Sequence, residues 1–355
     1  MTEAEFLACL RRLPLHPGAL DLRDDAARLG DLVLTTDTLV EGVHYLGSDP
    51  AGDVAWKLVA TNLSDLAAKG AVPVGVMLNY PLRADPSTSA SSSSCASPAK
   101  AGAQSRDGDG GDQPDVTAAI DTGPRPSPGK REGREREGGR EDWDSAFLEG
   151  FGHALTTFSA PLLGGDTVSL PAHAPRVLTL TAIGRSATAP IRTGARAGDA
   201  LYVTGTIGDA GAGLKIAQGQ TGPVELLAAY RRPQPRLAEG RALGSVVSAM
   251  MDVSDGLLID AQRMAAASGL SATVDLADVP LSDAYRTYAG DDRAARLTAA
   301  TAGDDYQLLF AAAPDVPLPC AATRVGRFSA GTGLILVHAD EAVPLPGNLG
   351  FQHNQ

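Results

Sequence analysis

Cysteine is scarce in this 355-residue chain. Cys9, Cys95 and Cys320 are the full set, and no two stand at CxxC spacing. An odd number of widely separated thiols argues against a zinc ribbon and a disulfide framework. The six histidines show no HExxH or HxxxH pairing, so a His-paired zinc hydrolase is not indicated. Positive charge is also short: 30 Lys and Arg against 42 Asp and Glu give a net charge of -12. Nonspecific nucleic-acid binding needs cations to neutralise phosphates and is not expected. No apolar run is long enough to span a membrane. The acidic opening, Thr2 to Phe6, lacks the basic region of a signal peptide, so a reducing cytoplasm is the expected compartment. The chain has no GxxxxGK[ST] and no GxGxxG after a strand, which removes P-loop and classical dinucleotide sites. It has no GxSxG elbow either.

What the chain does have is Asp, set in short motifs with Thr, Ser and Gly. They are Asp24-Asp25, Thr35-Thr36-Asp37-Thr38, Asn62-Leu63-Ser64-Asp65, Gly164-Gly165-Asp166-Thr167, Asp252-Val253-Ser254-Asp255-Gly256 and Gly303-Asp304-Asp305-Tyr306. Most close an apolar run or sit in a small-residue turn, where strand ends and loops converge. Carboxylates gathered there repel one another, and hard divalent cations such as Mg²⁺, which prefer oxygen ligands, would offset that. Each motif has an ordinary structural alternative. Asp252, Ser254 and Asp255 precede a helix and can serve as its cap. Asp65 can face solvent on a helix, and Asp24-Asp25 can be a surface turn. The Gly208–Gly213 stretch can line a phosphate, but also reads as a tight strand-to-helix turn.

Hydrophobic content of 43% and the chain length predict a buried core and two domains. Helical spacing predicts helices over about 2–13, 53–69, 144–158, 236–250, 257–268 and 293–302. A Gly-rich turn leads to another helix, and 226–230 is a helical piece. Strands are expected at 32–34 (leading into the Thr35–Thr38 motif), 74–78, 162–163 (running into a Gly turn), 177–184, 198–205 (a turn and strand), 273–276 and 306–311. From about 83 to 141 the composition turns Ser/Ala-rich, then Gly/Asp-rich, then Lys/Arg/Glu-rich. Such a segment cannot bury enough apolar surface to offset its ordering entropy and reads as a disordered insertion. Strands and helices alternate elsewhere, so the fold class is α/β (α+β). The expected division is 1–190 and 191–355.

The ordered motifs, joined by Asp37-Thr38-Leu39-Val40-Glu41-Gly42-Val43-His44 and Asn62 to Ala71, resemble those of the thiamine-monophosphate kinase family. The resemblance runs from about residue 20 to the C-terminus. It implies a two-domain aminoimidazole ribonucleotide synthetase-like fold and a homodimer formed through the N-terminal sheet. ATP and several Mg²⁺ ions would lie in the cleft between the domains. It implies phosphorylation of thiamine monophosphate to thiamine diphosphate. By resemblance, metal binding falls on Asp25, Thr35, Thr36, Asp37, Asp65, Asp166, Asp252 and Asp255. ATP contacts fall on Gly165, Asp166, Arg192 and Ser254, and thiamine monophosphate contacts on His44, Asp304 and Phe351. No general base is implied. The chain departs from the family pattern at Arg23, where Gly is usual, at Asp304, at Lys69 in place of an apolar residue, and in the 83–141 segment. Other members of that superfamily remain alternatives, as does a non-catalytic nucleotide-binding relative. Selenophosphate synthesis would want a reactive N-terminal Cys, whereas Cys9 falls in a helical pattern. A hydrogenase maturation role would want a C-terminal Cys, whereas the sequence ends His353-Asn354-Gln355.

Overall fold

The computed structural model describes residues 2–83, 143–171 and 173–352. The expected insertion lies outside the described residues, except for Arg83, and so does Cys95. The first half builds a five-stranded sheet from β1 (Ala27–Leu29), β2 (Leu32–Val40), β3 (Val72–Arg83), β4 (Leu162–Leu170) and β5 (Val177–Arg185), ordered β1-β2-β5-β3-β4. Only the β3–β4 pair in it is parallel. Three helices accompany it: α1 (Glu3–Leu10), α2 (Ala51–Ala68) and α3 (Trp143–Thr157). The second half builds a seven-stranded sheet, β12-β11-β8-β10-β6-β9-β7. Its strands are β6 (Ala200–Val203), β7 (Ala249–Asp252), β8 (Leu270–Asp275), β9 (Leu308–Ala312), β10 (Thr323–Ala330), β11 (Gly333–His338) and β12 (Glu341–Val343). Helices α4 (Asp209–Ala217), α5 (Val224–Arg231), α6 (Leu237–Leu243), α7 (Leu257–Ala267), α8 (Asp283–Ala289) and α9 (Arg293–Thr301) complete it. The mixed α/β class is as expected.

Several element boundaries differ from the sequence expectation. The Thr35–Thr38 motif lies inside β2 rather than after it. Threonine is β-branched and suits a pleated strand, so the strand has no reason to stop. The pleat then sorts the motif by face: Val33, Thr35 and Leu39 are buried, while Thr36 and Thr38 are exposed. Residues 162–170 form one strand, not a strand and a Gly turn. Gly165 is required there because a Cβ would lie 1.8 Å from the Leu78 carbonyl oxygen on β3. Gly165→Ala should therefore cost about 1–3 kcal/mol through the forced separation of β3 and β4. A urea midpoint equal to wild type would show that the two strands do not approach this closely. The helix expected over 236–250 ends at Leu243, and Ala249–Asp252 is β7, paired with β9. Three apolar residues and Asp252, all buried, have no period by which to tell strand from helix. Strands β1 and β10 to β12 and helix α8 carried no expectation.

Helix α2 joins the halves. It packs on β2, β5 and α3 of the first half and on α6 and β7 of the second. Its Ala- and Leu-rich sequence is buried on nearly every side. Pro50 precedes its first turn, and Asp53 there favours the positive end of the helix. Gly70 ends it at φ +57°, with Ala71 N–H donating to the Leu66 carbonyl at 2.9 Å, the Schellman closure that favours glycine. Three polar groups on its last turns, Asn62, Ser64 and Asp65, and Lys69 just beyond, therefore point into the junction between the two halves.

Candidate active site

A cleft of about 930 Å³ opens at that junction, lined by β2, the turn after it, the β7–α7 loop and the 303–306 loop. Asp37 enters from β2, and Asp252 and Asp255 come from the β7–α7 loop. Asp65, from α2, accepts a hydrogen bond from the Thr35 hydroxyl. Asn62 accepts the Asp37 backbone N–H at 3.0 Å, and Ser64 donates to Asp252 at 2.6 Å. The Asp carboxyls crowd one another in a poorly hydrated place, which favours their protonated forms. Burial, then the nearby Asp255 charge, pushes Asp37 up to about 6. Burial, reinforced by Asp260 and Asp37 and opposed by the Ser64 hydrogen bond and Lys69, pushes Asp252 up to about 7. Asp65 is raised well above the ordinary carboxylate range by burial and by the Asp37 and Asp252 charges.

The structural alternatives for two of these motifs are not realised. Neither Asp252, Ser254 nor Asp255 caps α7. Asp260, one turn into the helix, accepts the N–H groups of Asp255 and Gly256 at 3.1 and 3.2 Å. That leaves Asp252 and Asp255 facing the cleft, with Arg263 bonded to both Asp255 and Asp260. Asp24 and Asp25 are not a surface turn. Their side chains are 4% and 6% exposed, and both bind the Lys69 ammonium. Asp25 also pairs with the Arg192 guanidinium, so Arg192 is engaged by the acidic cluster. The Arg192 Nε is buried and has no partner among the described residues.

The other end of the cleft is built around Lys57. Its ammonium lies 2.7 Å from Asp304 and 3.1 Å from the His44 carbonyl, over the Tyr230 ring. Asp304 also accepts from the Tyr306 hydroxyl at 3.0 Å. Asp304 and Tyr306 sit at φ +67° and +49°, held by N–H bonds to the Ser254 and Val253 carbonyls. His44 accepts the Val40 N–H on Nδ1, which leaves Nε2–H as the donor of a neutral ring. Phe351 lies edge-on to His44 at 6.4 Å and is 42% exposed, so it is not tucked into the core. Its N–H bonds to the Asp255 carbonyl, tying the C-terminal segment to the carboxylate end.

Matches to known proteins follow the same division into halves. The description "AIR synthase related protein, N-terminal domain" fits residues 23–105 and 129–186, and its C-terminal counterpart fits 196–344. A thiamine-monophosphate kinase from Caulobacter vibrioides is 33% identical over 99% of this chain and 91% of that protein. The chain belongs to the thiamine-monophosphate kinase family. The solved structure of such a kinase from Stenotrophomonas maltophilia K279a is 31% identical, with a TM-score of 0.65 over 97% of this chain and 99% of that one. AaThiL complexed with AMPPCP and TMP shares the fold, with a TM-score of 0.73 at 24% identity over 98% and 96% of the two chains.

Of the residues to which the family resemblance assigns roles, Asp37, Asp252, Ser254, Asp255, His44, Asp304 and Phe351 line one cleft in this thiamine-monophosphate kinase relative. Thr35, Asp65, Asp25 and Arg192 stand just behind it, linked by the contacts above. Thr36 also borders the cleft, though its hydroxyl is bonded to the Leu180 carbonyl at 3.1 Å and lies near Thr181. Two are placed otherwise. Gly165 and Asp166 are exposed on β4, and Asp166 accepts the N–H of its neighbour Thr167 at 2.9 Å. Three strand steps, roughly 14 Å, separate them from β2 in the order β2-β5-β3-β4. Lys57, Asp260 and Arg263 carry part of the site's hydrogen bonding without having been singled out, and Asn62 and Ser64 stood in a quoted motif without an assigned role. A lone Lys inside the apolar stretch Val54–Val59 was the available signal for Lys57. Among the described residues, no three carboxylate, imidazole or thiolate groups are already gathered at metal-ligating distance. Hydroxyls, backbone carbonyls and substrate phosphates would have to complete any ion's shell.

Proposed function

We propose that this protein transfers the γ-phosphoryl group of ATP to thiamine monophosphate, giving ADP and thiamine diphosphate. The carrying observation is the arrangement of Asp37, Asp252 and Asp255 in one inter-sheet cleft, with Asp65 just behind it, in a chain one-third identical to a thiamine-monophosphate kinase. The donor set fits Mg²⁺: it is all oxygen, and the crowding that raises Asp37, Asp65 and Asp252 is what a hard cation relieves. Asp37, Asp65, Asp252, Asp255 and Thr35 would hold the ions. When bound, Mg²⁺ supplies the positive charge that lets two polyanions share one site.

The protein's own groups position rather than deprotonate. The acceptor phosphate has a second pKa of about 6, so near neutral pH it already carries its attacking oxyanion. In-line transfer then depends on placement and charge neutralisation. Asn62, Thr35 and Ser64 fix Asp37, Asp65 and Asp252 in turn. Arg192, with its buried unpaired Nε, suits a nucleotide phosphate. His44 offers Nε2–H as a donor to the acceptor, and Asp304 is oriented for the substrate by Lys57 and Tyr306. Phe351, and Phe6 from α1, give the cleft mouth apolar faces for aromatic rings. The outer strands β3 and β4 expose Val72, Met77, Leu162, Leu163 and Val168, a surface suited to a homodimer. In such a dimer, Asp166 and Gly165 would serve near the interface rather than deep in their own cleft. Among the described residues no helix is long and apolar enough to cross a membrane, in keeping with an ATP-using cytoplasmic enzyme.

The decisive measurement is incubation of the purified protein with Mg·ATP and thiamine monophosphate, followed by separation of the thiamine phosphates. Stoichiometric ADP and thiamine diphosphate are expected. ATP binding with no thiamine diphosphate would remove the kinase assignment.

A further inference from the structure

Lys69 closes α2 in the middle of the acidic cluster. Its side chain is 2% exposed. The ammonium lies 2.5 Å from Asp24 Oδ1, 2.9 Å from Asp25 Oδ2 and 3.3 Å from the Met250 carbonyl oxygen. Three oxygens from two halves of the chain thus meet three N–H donors. Such an all-oxygen set with two carboxylates is also what a hard divalent cation takes. Here it is filled by a positive charge fixed to the backbone. Its field reaches further, opposing the protonation of Asp65 and Asp252. An ion arriving at Asp25 would have to expel the ammonium from its partners. A buried charge stripped of its partners is strongly destabilising, so that exchange is opposed. The α2 terminus, closed behind Lys69 by Gly70 and Ala71, fixes the base of the side chain, and the three oxygens hold its ammonium in place.

We propose that Lys69 is a built-in cation of this pocket, holding Asp24 and Asp25 permanently and taking the place of one divalent ion. It rests on the Mg²⁺-dependent kinase reading for the ions near Asp37, Asp65 and Asp252, and it withdraws Asp25 from the ion-binding set of this chain.

Lys69→Met keeps the length of the side chain and removes its charge. Bound Mn²⁺ is counted by paramagnetic resonance in the presence of a non-hydrolysable ATP analogue, and melting is followed in EDTA and in millimolar Mg²⁺. The variant is expected to bind one ion more than wild type. It should melt several degrees lower in EDTA and regain more of that loss on adding Mg²⁺ than wild type gains. Equal ion counts and equal Mg²⁺-induced shifts would overturn the proposal while leaving the kinase reading intact if wild type makes thiamine diphosphate. Wild type that binds no Mn²⁺ would overturn both. Should K69M fail to fold, a crystal structure of wild type with Mg²⁺ and the analogue decides. Lys69 still on Asp24 and Asp25, with no ion there, supports the proposal. An ion on Asp25 with the ammonium turned away defeats it.

Discussion

Asp37→Asn and Asp65→Asn are each expected to reduce thiamine diphosphate formation by on the order of 10²–10³-fold or more, while raising the melting temperature of the divalent-free protein. The two effects have one cause. Both carboxyls are pushed up by burial and by neighbouring carboxylates, so each ionised form is held at a cost in the folded state. Replacing either by the isosteric amide removes that repulsion. For Asp37, a shift from 3.8 to about 6 corresponds to roughly 3 kcal/mol at neutral pH, of which a charge-free amide should recover a part. The amide also removes an anionic oxygen from the ion-binding set, and with it the means of neutralising two substrates' phosphates. Asn at 37 keeps the backbone N–H on Asn62, and Asn at 65 can still accept from Thr35, so the local framework survives. Turnover by thiamine phosphate separation and melting in EDTA read the two effects. Near-normal turnover would show that these carboxylates hold no ion. Lost turnover with lowered melting would show instead that they stabilise the fold.

The parts of the site legible in the sequence are those whose signal is local. The order of the Asp motifs and their Thr, Ser and Gly partners marks the family, and the cleft collects Asp37, Asp252, Ser254, Asp255, His44, Asp304 and Phe351. What was not legible depends on distant partners. Lys57 meets Asp304 across 247 positions, and Ser64 meets Asp252 across 188, so neither contact leaves a trace in spacing. Faces were also hidden. Thr35 and Thr36 look equivalent as a pair, and only the pleat of β2 sends one hydroxyl to Asp65 and the other to Leu180. For the fold, the longer helices α2, α3 and α7 were found within a few residues. Strand β7 was taken for the end of a helix, because a short run buried at every position carries no period. The cap of α7 shows the same limit. Asp252, Ser254 and Asp255 stand where a cap would, but Asp260 does that work from inside the helix.

The divalent-free protein is expected to lose stability as pH rises from about 4 to about 7.5, and Mg²⁺ should reverse the loss most strongly at the high end. Asp37 and Asp260 are raised to about 6 and Asp252 to about 7, with Asp65 raised as well, chiefly by burial. In the unfolded chain the same carboxyls release their protons near pH 4. Between those limits the folded state binds more protons than the unfolded state, so each pH increment favours unfolding. The stabilisation these groups give as protonated acids is complete below about pH 4 and is lost as pH passes through 6 and 7. Glu41 works the other way, because hydrogen bonds from Arg83 and the Arg176 backbone lower it, but its window lies below its ordinary value of 4.5. The ion pairs made by Lys69, Arg192 and Arg263 moderate the repulsion without removing it. Asp37 alone contributes roughly 3 kcal/mol of this, enough to move a denaturant midpoint clearly. Divalent ions bind the ionised carboxylates, so their stabilisation should be small at pH 5, where protons compete, and large at pH 8. Urea midpoints at pH 5, 6.5 and 8, each with EDTA and with Mg²⁺, measure both slopes. A midpoint in EDTA that stays level or rises from pH 5 to 8 would show that these carboxyls are already neutralised by the chain's own cations, leaving little for an ion to relieve.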